Sequence, residues 1–389
     1  MDNCSTPEKL PEPAITANRQ LKANRLARIS RHLSFFKAVL FAAFLLWLAL
    51  GGFSAQIIGC LDLPQIAAAA VYAIILLIVY GVLSTPFNFY RGFILSRRYG
   101  LSTQGFGGWL AGYIQSALLL STLVTGVIAA AYWMISILPN LWWLALWGML
   151  IFISLILNLL LSGVIIPLFY KIRALDDENL KTRFEALAES AGVSIRGIYI
   201  VECSARQTTA NAALAGIGRF KRILLSDTLL AACTPEEIEA IIAHELGHLK
   251  NRDGAGVFFF QALVIFASLW LTAVVCSTLA QPLGFSGMDD ISMLPVMILV
   301  FVIISMIFTP VSNAMMRCFE MAADDFAIRL TGNAAAFISM LTKLMRQNLG
   351  EVNPPMWVEI LLYDHPGYYR RLSYAMSFRH SSTESESER

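Results

Sequence analysis

His244-Glu245-Leu246-Gly247-His248 is the stretch that decides how this chain is read. Two histidines four residues apart on a helix project from the same face, so both imidazoles can reach one metal ion. The glutamate between them would stand beside that ion, where a carboxylate can take a proton from water. With 5 histidines among 389 residues, the pattern is expected by accident roughly 0.003 times. Upstream, Thr234-Pro235-Glu236-Glu237 predicts a helix start, with threonine as cap, proline in the first helical position and Glu237 closing a capping box. Ile238, Ile241 and Ile242 carry the helix into the motif, and Asp253-Gly254 should end it near Arg252.

Around this helix the chain is mostly apolar. It is 57% hydrophobic and 14% charged, with a mean hydropathy of +0.62, too little charge to cover a water-soluble domain. Six stretches are long enough to span hydrocarbon as helices, near 35–54, 66–88, 109–132, 141–170, 255–276 and 291–314. The fourth is long for one span and is expected to tilt or overrun the bilayer. The connections 55–65, 133–140 and 277–290 hold no Lys or Arg, only Asp62, Asp289 and Asp290. All 29 Lys and Arg fall elsewhere, and this split puts both termini and the motif in the cytoplasm. The first apolar run follows a long basic leader and reads as a retained span. The six cysteines show no C-x-x-C pattern, so they are expected as buried thiols. Cys318 should turn away from Glu320 on the helix. A nucleic-acid partner is not expected.

The expected architecture is a mainly α polytopic membrane protein with about six transmembrane helices and a small α+β zincin-type catalytic domain on the cytoplasmic side. Its parts are a basic leader (1–34), a four-span membrane domain (35–170), a catalytic block with edge strand and zinc helix (171–254), two further spans (255–316), a closing segment (317–379) and a disordered tail (380–389). In the leader, Asn18 to His32 reads as a topogenic charge cluster, with a helix on anionic headgroups as the alternative. In the catalytic block, Asp176 to Ala191 has helical apolar spacing, whereas 196–202 and 222–227 alternate as strands. The small residues of 211–216 suit an edge strand.

A catalytic zinc site needs a third protein ligand and one open position. Glu320, 72 residues after His248 on a predicted helix, is the best candidate. Asp324, one turn later on the same face, could hydrogen-bond a ligand histidine and fix its tautomer.

His244-Glu-Leu-Gly-His248 with Glu320-Met-Ala-Ala-Asp324 resembles the gluzincin metallopeptidases, and within them the type I CaaX prenyl endopeptidases and their bacterial relatives. Further segments are similar: Asn211-Ala212 through Leu230, Tyr363-Asp364-His365-Pro366 with Arg371, Pro86 to Tyr90 followed by Arg97 to Leu101, and Thr331-Gly332. The likeness runs from about residue 80 to about residue 375. It implies that His365 and Arg371 face the site and stabilise the oxyanion or the substrate backbone. It also implies that Asn211 lies on the strand that pairs with an extended substrate. The eukaryotic enzymes have seven spans walling a large chamber, whereas six are found here, with the basic leader standing where the first would be.

The expected function is therefore a zinc endopeptidase with one Zn²⁺ per chain on His244, His248 and Glu320, and Glu245 as general base. Its substrate would be a peptide or protein, membrane-embedded or lipidated, and the expected setting is a bacterial inner membrane. Two competitors stand beside it: a quality-control protease without prenyl specificity, and a non-enzymatic zinc-stabilised membrane protein. The oligomeric state stays open.

Overall fold

The computed structural model describes residues 16–216 and 221–387. Helix α1 (Ala17–Leu50) joins most of the basic leader to the first apolar stretch as one 34-residue helix. No Pro or Gly lies between Arg31 and Phe41, and extending a helix that has already nucleated costs little. The leader is held by the catalytic domain: Arg19 Nε donates to the Arg346 carbonyl at 2.8 Å, and Arg31 Nη1 donates to Glu351 Oε2 at 2.6 Å.

A short α2 (Phe53–Gly59) follows, and then α3 (Gln65–Phe89) runs through a π-helical turn at Tyr90–Leu95 into α4 (Ser96–Arg98). The next two spans are α5 (Phe106–Ile137) and α6 (Trp142–Leu160). The long fourth apolar stretch is divided: α6 ends at Leu160, a π turn covers Leu161–Ile165, and α7 (Ile166–Phe169) completes it around Pro167. Among the described residues, six helices are long and apolar enough to cross a membrane.

A four-stranded sheet builds the soluble part, from β1 (Ile172–Ala174), β2 (Gly197–Val201), β3 (Ala212–Ala215) and β4 (Arg222–Ser226), in the order β1-β2-β4-β3. The pair β2–β4 is parallel and its neighbours are antiparallel. Strand β3, with its small side chains, forms one edge of the sheet. Helix α8 (Glu178–Ser190) is capped by Asp177 Oδ1, which accepts from the amides of Asn179 and Leu180. After α9 (Asp227–Ala232), α10 (Pro235–Asn251) opens with the capping box of Thr234 and Glu237.

No loop separates α10 from the membrane. Arg252 alone takes the left-handed conformation (φ 60°), and α11 (Asp253–Ala280) starts on the next residue. Helix α12 (Leu294–Thr331) joins the sixth span to the third-ligand segment in one 38-residue rod and stops at Gly332 with φ 60°, a conformation natural to glycine. The chain ends with α13 (Ala334–Gln347), α14 (Met356–Leu362) and α15 (Tyr368–Ser387).

The buried apolar residues form two main cores. One unites α8, the sheet, α10, α13 and α15 around Phe184, Ile223, Ile242, Leu246 and Phe337, each under 1% exposed. The other ties the spans together near the short connections, through Leu48, Tyr72, Tyr132, Trp142, Cys276 and Met293.

Candidate metal centre

The centre forms where α10 crosses α12. Gly247 makes the crossing close: a Cβ at that position would stand 3.1 Å from Ala323 Cα. Leu246 beside it is fully buried, as is Ala323. The two inner positions of the motif thus serve packing, and the outer face of that turn is left to the histidines.

His244 Nε2 and His248 Nε2 face each other at 3.2 Å, and the Glu320 carboxylate stands 3.5 Å from each through Oε2 and Oε1 respectively. One ligand atom from each of the three residues falls within 4.8 Å of the others. Donors about 2.0–2.1 Å from a tetrahedral zinc sit roughly 3.3–3.4 Å apart, so the spacing suits one ion. Among the described residues, the buried Glu320 Oε2 has no hydrogen-bond partner, which is costly unless a cation or donor joins it. The donor set of two imidazoles and a carboxylate fits zinc.

Each ring is held from behind by a carboxylate, so its Nε2 is presented inward. His248 Nδ1 pairs with Asp253 Oδ2 at 2.8 Å. His244 Nδ1 approaches Asp324 Oδ1 at 2.9 Å, out of line for a full hydrogen bond. Asp324 is wholly buried, and Arg371 clasps it with two donors, Nε to Oδ2 at 2.7 Å and Nη2 to Oδ1 at 2.6 Å.

Arg371, expected to stabilise the oxyanion or the substrate backbone, is engaged here with Asp324. Two of its guanidinium nitrogens are spent on a buried carboxylate, and a fork of this kind fixes a plane rather than reaching for substrate.

His365 does face the centre: its Nε2 lies 3.3 Å from Glu320 Oε1, and its Nδ1 pairs with Asp364 Oδ1 at 2.8 Å. The hydrogen bond that His365 makes to the Asp364 carboxylate raises the histidine's pKa against the opposing effect of burial. Burial pushes the Glu245 carboxyl above its ordinary range, while the neighbouring His244 and His248 pull the other way. The loop carrying His365 is anchored from two sides. Tyr363 Oη donates to Glu351 Oε2 at 2.7 Å beside Arg31, and Arg317 Nη1 donates to the Tyr363 carbonyl at 2.7 Å.

The structure therefore gathers His244, Glu245, His248, Glu320, Asp324, His365 and Arg371. Asn211 is exposed at the start of β3, its backbone paired with Ser226, and among the described residues it has no polar contact with that group. Two participants were not foreseen, Asp253 and Arg31. Nothing in the sequence signals Asp253: Arg252 takes the left-handed conformation without being a glycine, and Asp253 on the next residue pairs with His248.

The model of peptidase family M48 matches residues 174–378, and that of the CAAX prenyl protease N-terminal domain, described as five membrane helices, matches residues 3–171. Among the described residues, four candidate spans begin and end inside the latter range. The chain belongs to peptidase family M48. It is 30% identical to a CAAX prenyl protease 1 homolog of Oryza sativa, over 74% of this chain and 68% of the relative. It is 28% identical to the uncharacterized metalloprotease YhfN of Bacillus subtilis, over 78% and 72%. The crystal structure of S. mikatae Ste24p superposes with a TM-score of 0.82 at 20% identity, covering 96% of this chain and 92% of that one, and it shares the fold. The protein is accordingly a multi-pass membrane metalloendopeptidase acting on peptide or protein substrates, and its family implies a metal, generally zinc. The non-enzymatic and quality-control readings are not favoured.

Proposed function

We propose that the protein holds one zinc ion per chain on His244, His248 and Glu320 and cuts peptide chains at the membrane surface with Glu245 as general base. The observation that carries the reading is the buried Glu320 carboxylate, which spans both Nε2 atoms while one of its oxygens lacks a hydrogen-bond partner among the described residues. Zinc bound there would polarise the scissile carbonyl and acidify a water.

The rest falls to the protein's own groups. Glu245 takes the proton of the attacking water and returns it to the leaving amine. His365, held by Asp364, donates to the carbonyl oxygen as negative charge develops there. Asp324, Arg371 and Asp253 keep the ligand rings in register. The exposed outer edge of β3, beginning at Asn211, offers backbone hydrogen bonds to an extended substrate.

The absence of Lys and Arg from 55–65, 133–140 and 277–290 supports a cytoplasmic site and cytoplasmic termini, and the compact loops suit a bacterial inner membrane. The relatives named CAAX prenyl proteases favour a C-terminally lipidated substrate. Glu245→Ala should keep fold and metal and lose peptide cleavage by about 10²–10⁴-fold; full activity in that variant would remove the assignment. The substrate class is decided separately, by whether farnesylated peptides are cut faster than unmodified ones of the same sequence.

A further inference from the structure

Helix α14 has an unusual surface. Of its seven residues, Met356 is 78% exposed, Trp357 59%, Leu362 52%, Ile360 44% and Leu361 42%. Val358 is fully buried, and the one charged residue, Glu359, turns back to accept from the Gly367 amide at 3.1 Å. Left in water, such a contiguous apolar patch would be a liability.

The placement of the helix says what covers it. Asn313 of α12 donates its side-chain amide to the Leu361 carbonyl at 2.9 Å, and Arg317 Nη1 donates to the carbonyls of Glu359 and Tyr363 at 2.9 and 2.7 Å. Helix α14 therefore hangs on α12 at residues 313–317. Immediately before that level, the exposed side of α12 is apolar, with Met306 at 65%, Ile307 at 67% and Val311 at 54%. That side belongs to a helix apolar enough to cross the bilayer. The exposed apolar side chains of the sixth span are thus followed by those of α14, with Thr309 and Asn313 as polar groups between them.

We propose that α14 is an interfacial helix, seated in the acyl chains of the leaflet that borders the catalytic domain, with Met356, Trp357 and Ile360 as its lipid anchors. Tryptophan suits that boundary, since its ring is apolar and its N–H can reach the wet side. The carbonyl-capping Arg317 gives the helix a cationic flank at headgroup level. The helix leads directly into Tyr363-Asp364-His365, so the bilayer becomes part of the scaffold holding His365 beside Glu320. That last consequence rests on the reading of His365 given above, whereas the seat in lipid does not.

The test needs no enzymatic readout. The full chain is placed in phosphatidylcholine vesicles whose acyl chains carry bromine near the headgroup or near the methyl end. The emission of Trp357 is taken as the difference between wild type and Trp357→Phe. A helix lying in the interface predicts at least about twofold quenching by shallow bromines, less by deep ones and little by aqueous acrylamide. Met356→Trp in the Trp357→Phe background supplies a second probe and must report the same depth. A signal that acrylamide reaches and brominated lipid does not would overturn the proposal. So would disulfide-linked dimers of Trp357→Cys in vesicles, which would put a second copy on this face.

Discussion

In the catalytic part, Phe184, Ile223, Leu225, Ile242 and Leu246 are all sealed from solvent, and the helix bearing the histidines is surrounded by sheet and helices. In the membrane part, only 6% of the most apolar window of α6 and 17% of that of α1 are buried within the protein. The spans meet tightly near their far ends, where Ser54 Oγ joins Tyr72 Oη at 2.5 Å and donates to the Ser292 carbonyl at 2.7 Å. Elsewhere Ile78, Val82, Leu118, Phe152, Leu263 and Ile307 stand exposed. Lipid can cover such side chains, so a span needs few protein neighbours. A metal site needs its donors held within about 0.5 Å, and that takes a packed core and carboxylates behind the rings. The lesson is a division of labour: precision is concentrated at the α10–α12 crossing, and the spans fix location.

If that division is right, substitutions at the two ends should fail differently. The largest effect is expected for Glu320→Ala. It should empty the centre and abolish cleavage while the six spans still insert, which metal analysis and a protease-accessibility map would separate. Next comes the clasp behind His244. Arg371→Ala leaves the buried Asp324 without its partner and should lower metal affinity or activity by about 10–100-fold. Arg371→Lys recovers part of the loss, because one charge remains without the fork. Metal titration distinguishes this from substrate contact, which would raise KM and leave metal affinity unchanged.

A smaller loss is expected where the two regions meet. Arg31 of α1 and Glu351 hold Tyr363 at a distance from the reacting atoms. Arg31→Ala should lower kcat by a few-fold to about 30-fold, at unchanged metal content, as coupling of about 0.5–2 kcal/mol would give. Glu351→Gln should give a similar loss, and the double variant little more, since both act through one residue. Smallest for activity is Ser54→Ala at the far end. It removes a hydrogen bond worth about 0.6–2 kcal/mol within the membrane and should lower thermal stability while kcat and KM stay as in the wild type. A kcat defect there would break the proposed separation.

How much of this could be read from residues differs by region for the same physical reasons. The spans were legible because hydrocarbon imposes length and apolarity on a continuous segment. The helix of the motif was legible because Thr234, Pro235 and Glu237 punctuate its start. Glu320 and Asp324 could be found because one helix face repeats every three to four residues. What escaped depends on contacts distant in sequence or on single dihedrals. Arg31 meets Glu351 across 320 positions, and Arg371 meets Asp324 across 47. The π turns at Tyr90–Leu95 and Leu161–Ile165 change register by one residue without changing composition. Asp253 was taken for a helix stop because the left-handed turn at Arg252 lies at a residue with no special freedom to adopt it. The short strand β1 and helix α14 are too brief to show a period.

The central claim is that one metal ion, gripped by His244, His248 and Glu320, works with Glu245 to split peptide bonds. The most direct measurement is metal content together with peptidase activity for wild type and Glu245→Gln, purified side by side. The account predicts one zinc per chain in both proteins and cleavage only in the wild type. A wild-type protein that cleaves with no bound metal, or a Glu245→Gln variant as active as its parent, would contradict it.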